Sequence, residues 1–156
     1  MSLERAKAHL AKYGADDRIL EFNVSSATVA LAAKALHCEE GRIAKSLSFA
    51  VNDGAVLVVA AGDARIDNAK FKAAFGVKAK MLSFEQVEPL IGHAVGGVCP
   101  FGVNEGVRTY LDASLRRYET VYPACGSSNS AVQLTLPELE TMSEALGWVD
   151  VCKDAQ

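Results

Sequence analysis

Hydrophobic positions recur along the chain with two periods, and the changes from one period to the other mark out most of the elements. Leu3, Ala6 and Leu10 form one stripe with Lys7 and Lys12 off it, which predicts an amphipathic first helix ended by Gly14. A short strand is expected around Ile19 to Phe22. Ser25 or Ser26 is expected to cap a second helix over the run TVALAAKALH, which ends before Cys38 and a Glu39-Glu40-Gly41 turn. From Ala44 to Val51 the chain reads AKSLSFAV. Asn52-Asp53-Gly54 then offers turn chemistry before the apolar run AVLVVAA, so the pair predicts a β-hairpin. Asp67 or Asn68 can cap a helix ending at Gly76, and Ser83 with Gln86 has the spacing of a capping box for a short helix to Ile91.

Gly92 to Gly106 holds five glycines and Pro100, too many for a helix or a central strand, and is expected to be an extended loop. Strands are expected at Arg108 to Leu111, Thr120 to Ala124 and Ala131 to Leu136. In the last of these, Val132, Leu134 and Leu136 alternate with Gln133 and Thr135. Pro137 fits the first turn of a closing helix, PELETMSEAL, stopped by Gly147 before a final strand around Trp148 to Val151. Strands and helices mixed without a regular βαβ rhythm predict an α+β fold with a mixed, largely antiparallel sheet and flanking helices.

Composition narrows the class. A chain of 156 residues, half of them hydrophobic, is expected to be a single domain spanning 1–156 with one substantial core. No stretch reaches the roughly 18 apolar residues of a membrane helix, and the charged start MSLERAKAHL is unlike a signal peptide, so a cytoplasmic protein with no membrane partner is expected. The net charge of -3 argues against a protein that coats DNA or other long nucleic acid, while leaving room for recognition of an RNA end. The basic concentration from Arg65 to Lys80 reads as a solvated face. Cys38, Cys99, Cys125 and Cys152 show no C-x-x-C pairing, so buried thiols are expected, with neither a disulfide framework nor a zinc site.

Three segments carry candidate chemistry. Strand alternation puts Lys45 on the face of Leu47, Phe49 and Val51, where its cation can either snorkel into water or sit at a pocket mouth and attract a phosphate or a developing oxyanion. The glycines of Gly92 to Gly102 let backbone approach a ligand, and Pro100 stiffens the loop; G-x-x-x-x-G-K-[ST] and G-x-G-x-x-G are both absent, which excludes an ATP or dinucleotide loop. The third segment, Ala124 to Ser130, offers hydroxyls in a small polar turn, though such a turn needs no function to exist.

Taken in order, these segments resemble the YbaK/EbsC-type aminoacyl-tRNA deacylases, relatives of the editing domain inserted in bacterial prolyl-tRNA synthetases. The resemblance runs from near Val24 through Ile43-Ala44-Lys45-Ser46-Leu47, the G-x-x-x-P loop Gly96 to Pro100, Pro100-Phe101-Gly102, Thr109-Tyr110-Leu111-Asp112, Gly126, and Leu134-Thr135-Leu136-Pro137-Glu138-Leu139. It implies a domain that binds the aminoacylated 3′-adenosine of a transfer RNA acceptor end and hydrolyses its ester in trans, with no metal and no cofactor, and a synthetase as a further partner. By position, Lys45 would hold the terminal phosphate or polarise the ester. Gly96, Gly97, Val98, Cys99, Pro100, Phe101 and Gly102, with Asp112, Gly126, Ser127 and Ser128, would form the substrate-binding set. Ala131 stands where members acting on cysteinyl-tRNA(Pro) carry an aspartate, and the Gly126-Ser127-Ser128-Asn129 turn lacks an arginine often found there. Small residues around the loop suit alanine, serine, threonine or cysteine as the group removed from tRNA(Pro) or another tRNA.

Three rival readings follow from the same residues, the weakest being a structural or interaction protein with no ligand site. A cysteine-dependent hydrolase would use Cys99 near His93, or Cys125, but needs a base or cation to form the thiolate. A non-catalytic module of the same fold would bind an RNA end or a synthetase without turnover.

Overall fold

The computed structural model describes residues 2–52 and 54–153; Asp53 of the expected hairpin turn lies outside them. The hairpin organises the rest. β2 (Ile43–Val51) and β3 (Gly54–Ala61) pair antiparallel from Ala44↔Ala61 to Val51↔Gly54, and β3 is buried along its whole length after Gly54. An unbroken apolar run is what a strand covered on both faces requires. β4 (Arg108–Asp112) runs parallel to β3, β8 (Gly147–Val149) parallel to β4, β5 (Thr120–Pro123) parallel to β2, and β7 (Leu134–Thr135) antiparallel to β5. The order β7-β5-β2-β3-β4-β8 makes a mixed six-stranded sheet, and β1 (Ile19–Glu21) pairs separately with β6 (Ser130–Val132). This is the α+β architecture with a mixed sheet that was expected, but the sheet is not largely antiparallel: three of its five pairings are parallel, because β4, β5 and β8 each reach their neighbour by a crossover and not by a hairpin.

The two faces of the hairpin serve different packings. Ala44, Val59 and Ala61 join Leu111, Leu115, Val121 and Leu134 in a core closed by Ala6 and Leu10 of α1 (Ser2–Ala11) and Leu139 of α5 (Leu136–Met142). Phe49, Val51, Val56 and Val58 pack on Phe71 of α3 (Asn68–Phe75). Farther along the first face, Ala55 and Leu57 meet Leu82 and then Val87 and Ile91 of α4 (Phe84–Ile91). α2 (Val29–Leu36) packs Ala32 and Ala33 on Ile43.

Capping chemistry explains most element boundaries and corrects two expectations. The Ser83–Gln86 box opens α4 as read, and Asp67 caps α3 by accepting from Lys70 N at 3.0 Å. The second helix is capped by Thr28 and not by Ser25 or Ser26, because only the residue adjoining the first helical turn can reach its free N–H groups; Thr28 accepts from Leu31 N at 3.2 Å. Ser25 instead closes a local turn on Ala27 N. The strand expected over Ala131 to Leu136 is divided. β6 leaves to pair with β1, β7 pairs with β5, and Thr135 with Glu138 forms a capping box that starts α5 at Leu136, one residue before Pro137. The closing helix ends at Met142, and the final strand runs one to two residues earlier than expected.

Candidate functional site

Strand β2 has an open edge, and the main cleft is built around it. Pairing with β5 stops at Ala44↔Pro123. Farther on, Ser48 O accepts from Leu82 N at 3.1 Å and Ala50 N donates to Lys80 O at 2.8 Å. Backbone groups on a strand alternate in direction, so the N–H and C=O of Ser46 point the same way as those of Ser48 and Ala50, into the interval where no strand pairs among the described residues. The Ser46 side chain adds to this, since its Oγ is buried with no hydrogen-bond partner among the described residues. Unsatisfied buried polar groups are uncommon and costly, and one that opens onto a cavity marks a place for a polar ligand.

The cleft over this edge has a volume of about 360 Å³, within the range of small-molecule sites. Its walls include the small residues Ala32, Ala44, Gly96, Ala124, Ser130 and Ala131 beside the larger Ile43, Val87, Val98 and Tyr122. Its mouth is apolar and exposed, with Phe84 at 74%, Met81 at 56% and Val95 at 50% exposure. A polar floor, walls that include these small residues and an apolar rim suit a ligand with a small polar end and a flat apolar part farther out.

Of the expected glycine-loop set, Gly96 and Val98 line the cleft. Gly97 is spent on packing, as a Cβ there would stand 2.5 Å from Gly126 C and from Ser127 N, and its N–H donates to Ala94 O at 3.0 Å. Cys99, Pro100 and Phe101 are buried, with Cys99 and Phe101 in the core beside α1. Gly102 and Gly126 hold left-handed backbone, at φ +75° and +86°, and each rests against α1, on Arg5 and Ser2 respectively. Ser127 Oγ shares a hydrogen bond of 2.6 Å with Ser130 Oγ, which places Ser130 in the cleft wall. Ser128 is exposed, and its carbonyl accepts from Ser26 N at 2.6 Å, tying the polar turn to the segment before α2.

Arg5 was not among the residues picked from sequence, yet it holds both ends of the loop. It donates to Gly92 O at 3.0 Å and to Asn104 Oδ1 at 2.9 Å. Nothing local to Arg5 signals this role; the contacts span 87 and 99 residues of sequence.

Lys45 and Asp112 are placed differently from the loop. Lys45 borders the cleft, but alternation sets its side chain on the opposite face from Ser46, and its ammonium donates to the carbonyls of Gly62, at 3.2 Å, and Ala64. Burial lowers its pKa below the ordinary lysine value, against the opposing pull of Cys152 and Asp63. Asp112 is fully buried and accepts from Ser114 N and Val151 N, each at 2.8 Å, beyond the Gly62–Ala64 turn from the cleft.

The thiols are buried as expected for Cys99, Cys125 and Cys152, and Cys38 is half-buried. Cys99 Sγ lies 3.6 Å from His93 Nε2, the contact a cysteine hydrolase would need. Burial works against that chemistry. It pushes the Cys99 thiol up to about 12, lowers the His93 pKa, and leaves both residues with no exposed surface.

Comparison with known proteins resolves the family. The sequence profile of the aminoacyl-tRNA editing domain matches residues 24–142, from the segment before α2 to the end of α5. The chain belongs to the aminoacyl-tRNA editing domain family. It is 50% identical over 155 residues to the uncharacterized protein YwhH of Bacillus subtilis (strain 168), covering 99% of each chain. It is 27% identical over 95 residues to a proline–tRNA ligase of Bacillus cereus (strain AH820), which is 60% of this chain and 16% of the ligase. Its fold superimposes with a TM-score of 0.88 and 32% identity on the crystal structure of a protein proposed as a trans-editing enzyme for prolyl tRNA synthetase, over 98% of each chain. The editing-domain match takes in Lys45, Ser46, the glycine loop and the Gly126 turn, while α1 lies outside it. In this member of the editing-domain family, α1 nonetheless supports the cleft through Arg5 and Ser2.

Proposed function

We propose that the chain is a hydrolase that removes a small, wrongly attached amino acid from transfer RNA in trans, with the aminoacylated 3′-adenosine held in the cleft over the β2 edge. The observation that carries this reading is Ser46. Among the described residues its backbone N–H, its C=O and its hydroxyl have no partner, and it lines a cleft whose walls include Ala32, Ala124 and Ala131. An aminoacyl ester needs such groups: a donor for the oxyanion of the tetrahedral intermediate, and an acceptor for the amino group. A positioned oxyanion donor is worth roughly a hundred- to a thousandfold in acyl transfer. The ester is already activated, so positioned water, assisted by the ribose hydroxyl of the substrate, is a sufficient nucleophile. Family membership and the likeness to a proposed trans-editing protein support the same assignment.

Within this reading Lys45 is held ready by two carbonyls and releases them to meet the terminal phosphate or the ester. Gly96 and Val98 shape the amino-acid subsite, whose walls at Ala32, Ala124 and Ala131 suit alanine, serine, threonine or cysteine. The exposed Phe84 ring offers the terminal base a surface.

The test is release of amino acid from tRNA(Pro) charged separately with alanine, serine, threonine, cysteine and proline, comparing wild type with Lys45→Ala. Wild type is expected to release one or two non-cognate residues, and Lys45→Ala to lose about a hundredfold or more with its circular dichroism spectrum unchanged. Release by neither protein from this panel or from other mischarged transfer RNAs replaces the enzyme with the non-catalytic binding module.

A further inference from the structure

The Gly62–Ala64 turn that holds Lys45 also walls a second cavity, of about 590 Å³, that shares no lining residue with the cleft. Basic and acidic groups meet in it, but the acids are already engaged. Asp112 is fully buried and accepts from the Ser114 and Val151 amides, Asp150 takes Lys70 at 3.2 Å, and Asp63 takes the Arg117 guanidinium, with one contact at 3.1 Å. The bases are not all engaged. Arg65 and Lys153 stand side by side, Lys153 N donating to Arg65 O at 2.8 Å, and among the described residues neither side chain has a hydrogen bond or ion pair. Both are exposed, so neither is held back by packing.

We infer that this second cavity binds a phosphodiester of the RNA strand whose 3′ end enters the cleft. The inference rests on the proposed editing function and adds a site to it. Two uncommitted cations beside an ion-paired guanidinium match a phosphate, whose oxygens accept from several donors at once. A strand leaving the cleft past Lys45 meets this cavity next, because Lys45 lines the cleft while its ammonium donates to the turn that walls the cavity. Arg65 and Lys153 thus neutralise backbone charge upstream of the terminal nucleotide and contribute affinity without reading sequence.

The experiment compares wild type with the Arg65→Gln/Lys153→Gln double variant on two substrates: an aminoacylated acceptor-stem minihelix, and 3′-aminoacyl adenosine, which has no upstream phosphate. The variant is expected to raise KM about tenfold on the minihelix with little change in kcat, and to flatten the salt dependence of binding by about one unit of log–log slope, at roughly 0.7 per single-strand phosphate contact. On aminoacyl adenosine the two proteins are expected to agree within about twofold. Equal KM and equal salt slope on the minihelix overturn the inference, as does an equal loss on both substrates, which would mean that the substitutions disturb the cleft. Should wild type hydrolyse neither substrate, the editing function falls. Fluorescence anisotropy with uncharged minihelix then decides the phosphate site alone: weaker, less salt-dependent binding by the variant supports it, and unchanged binding overturns it. Inorganic phosphate at constant ionic strength probes a free-anion site. Its low-millimolar binding to wild type without displacement of the minihelix also overturns the inference.

Discussion

A Cβ on Gly97 would lie 2.5 Å from the carbonyl carbon of Gly126, so the glycine loop and the polar turn meet backbone to backbone. No flexible side chain stands at that contact to yield. Gly97→Ala is therefore expected to lower stability by about 1–3 kcal/mol, the usual cost of forcing an extra methyl into a packed interior. Gly147→Ala, with nothing within 4 Å of its Cβ, is the matched control and should stay within about 0.5 kcal/mol. Urea unfolding of the three proteins checks both. An unperturbed midpoint for Gly97→Ala would mean that the loop can move off the turn, and the cleft wall with it.

The Cys99 thiol carries the opposite expectation. It is fully buried, pushed up to about 12, and its Sγ hydrogen bonds to Phe101 O at 3.7 Å. Cys99→Ser keeps a donor for that carbonyl and is expected, under the proposed function, to deacylate at a rate within about twofold of wild type, and iodoacetamide is expected to leave that activity of the native protein unchanged. Loss of activity in Cys99→Ser at unchanged stability would restore the thiol mechanism.

Local pattern and long-range geometry differ in how far they can be read from residues. The Ser83–Gln86 box, the hairpin and the buried β3 run are legible because each depends on neighbours within a few positions. The face carrying Lys45 is legible for the same reason. What alternation alone does not reveal is that Ser46, one position on, faces the cleft while the Lys45 ammonium reaches the Gly62–Ala64 turn. The opening at Ser46 exists because β5 leaves the register at Pro123 and the 80–82 segment joins only at Ser48, two events far apart in sequence. The glycine loop reads as a ligand loop from composition, yet Cys99, Pro100 and Phe101 are drawn inward by contacts with α1, about ninety residues away. Asp112 reads as a strand end near the site; its burial under Val151 follows from β8 pairing with β4.

His93 links the buried loop to pH. Its side chain is fully buried, Nε2 donates to Phe101 O at 2.6 Å, and Nδ1 has no partner among the described residues. Burial lowers its pKa from the ordinary value, with Arg5 and His9 adding to the effect against the Phe101 hydrogen bond. The folded state keeps the ring neutral while the unfolded state takes up a proton below about pH 6.5. The contribution is therefore present above pH 6.5 and lost as the pH falls toward the lowered folded value. Wild type is expected to lose stability between pH 7.5 and 5.5, with a slope from this group of at most about 1.4 kcal/mol per pH unit. His93→Gln should show a shallower loss over the same window. Parallel pH profiles for the two proteins, by urea unfolding, would show that His93 is not the linked group.

Ser46 separates function from stability. A buried hydroxyl without a partner contributes nothing to the fold and carries a desolvation cost, so Ser46→Ala is expected to leave stability unchanged or raise it by up to about 1 kcal/mol. The same change removes one of the polar groups offered to the ester and is expected to lower kcat/KM for deacylation by about tenfold, less than Lys45→Ala, because the Ser46 backbone N–H and C=O remain. Thermal unfolding and single-turnover deacylation of one protein preparation check the two effects together. A variant that is both less stable and less active would place the hydroxyl in the structural framework, whereas one that is equally stable and equally active would leave the Ser46 backbone as the group that recognises the substrate.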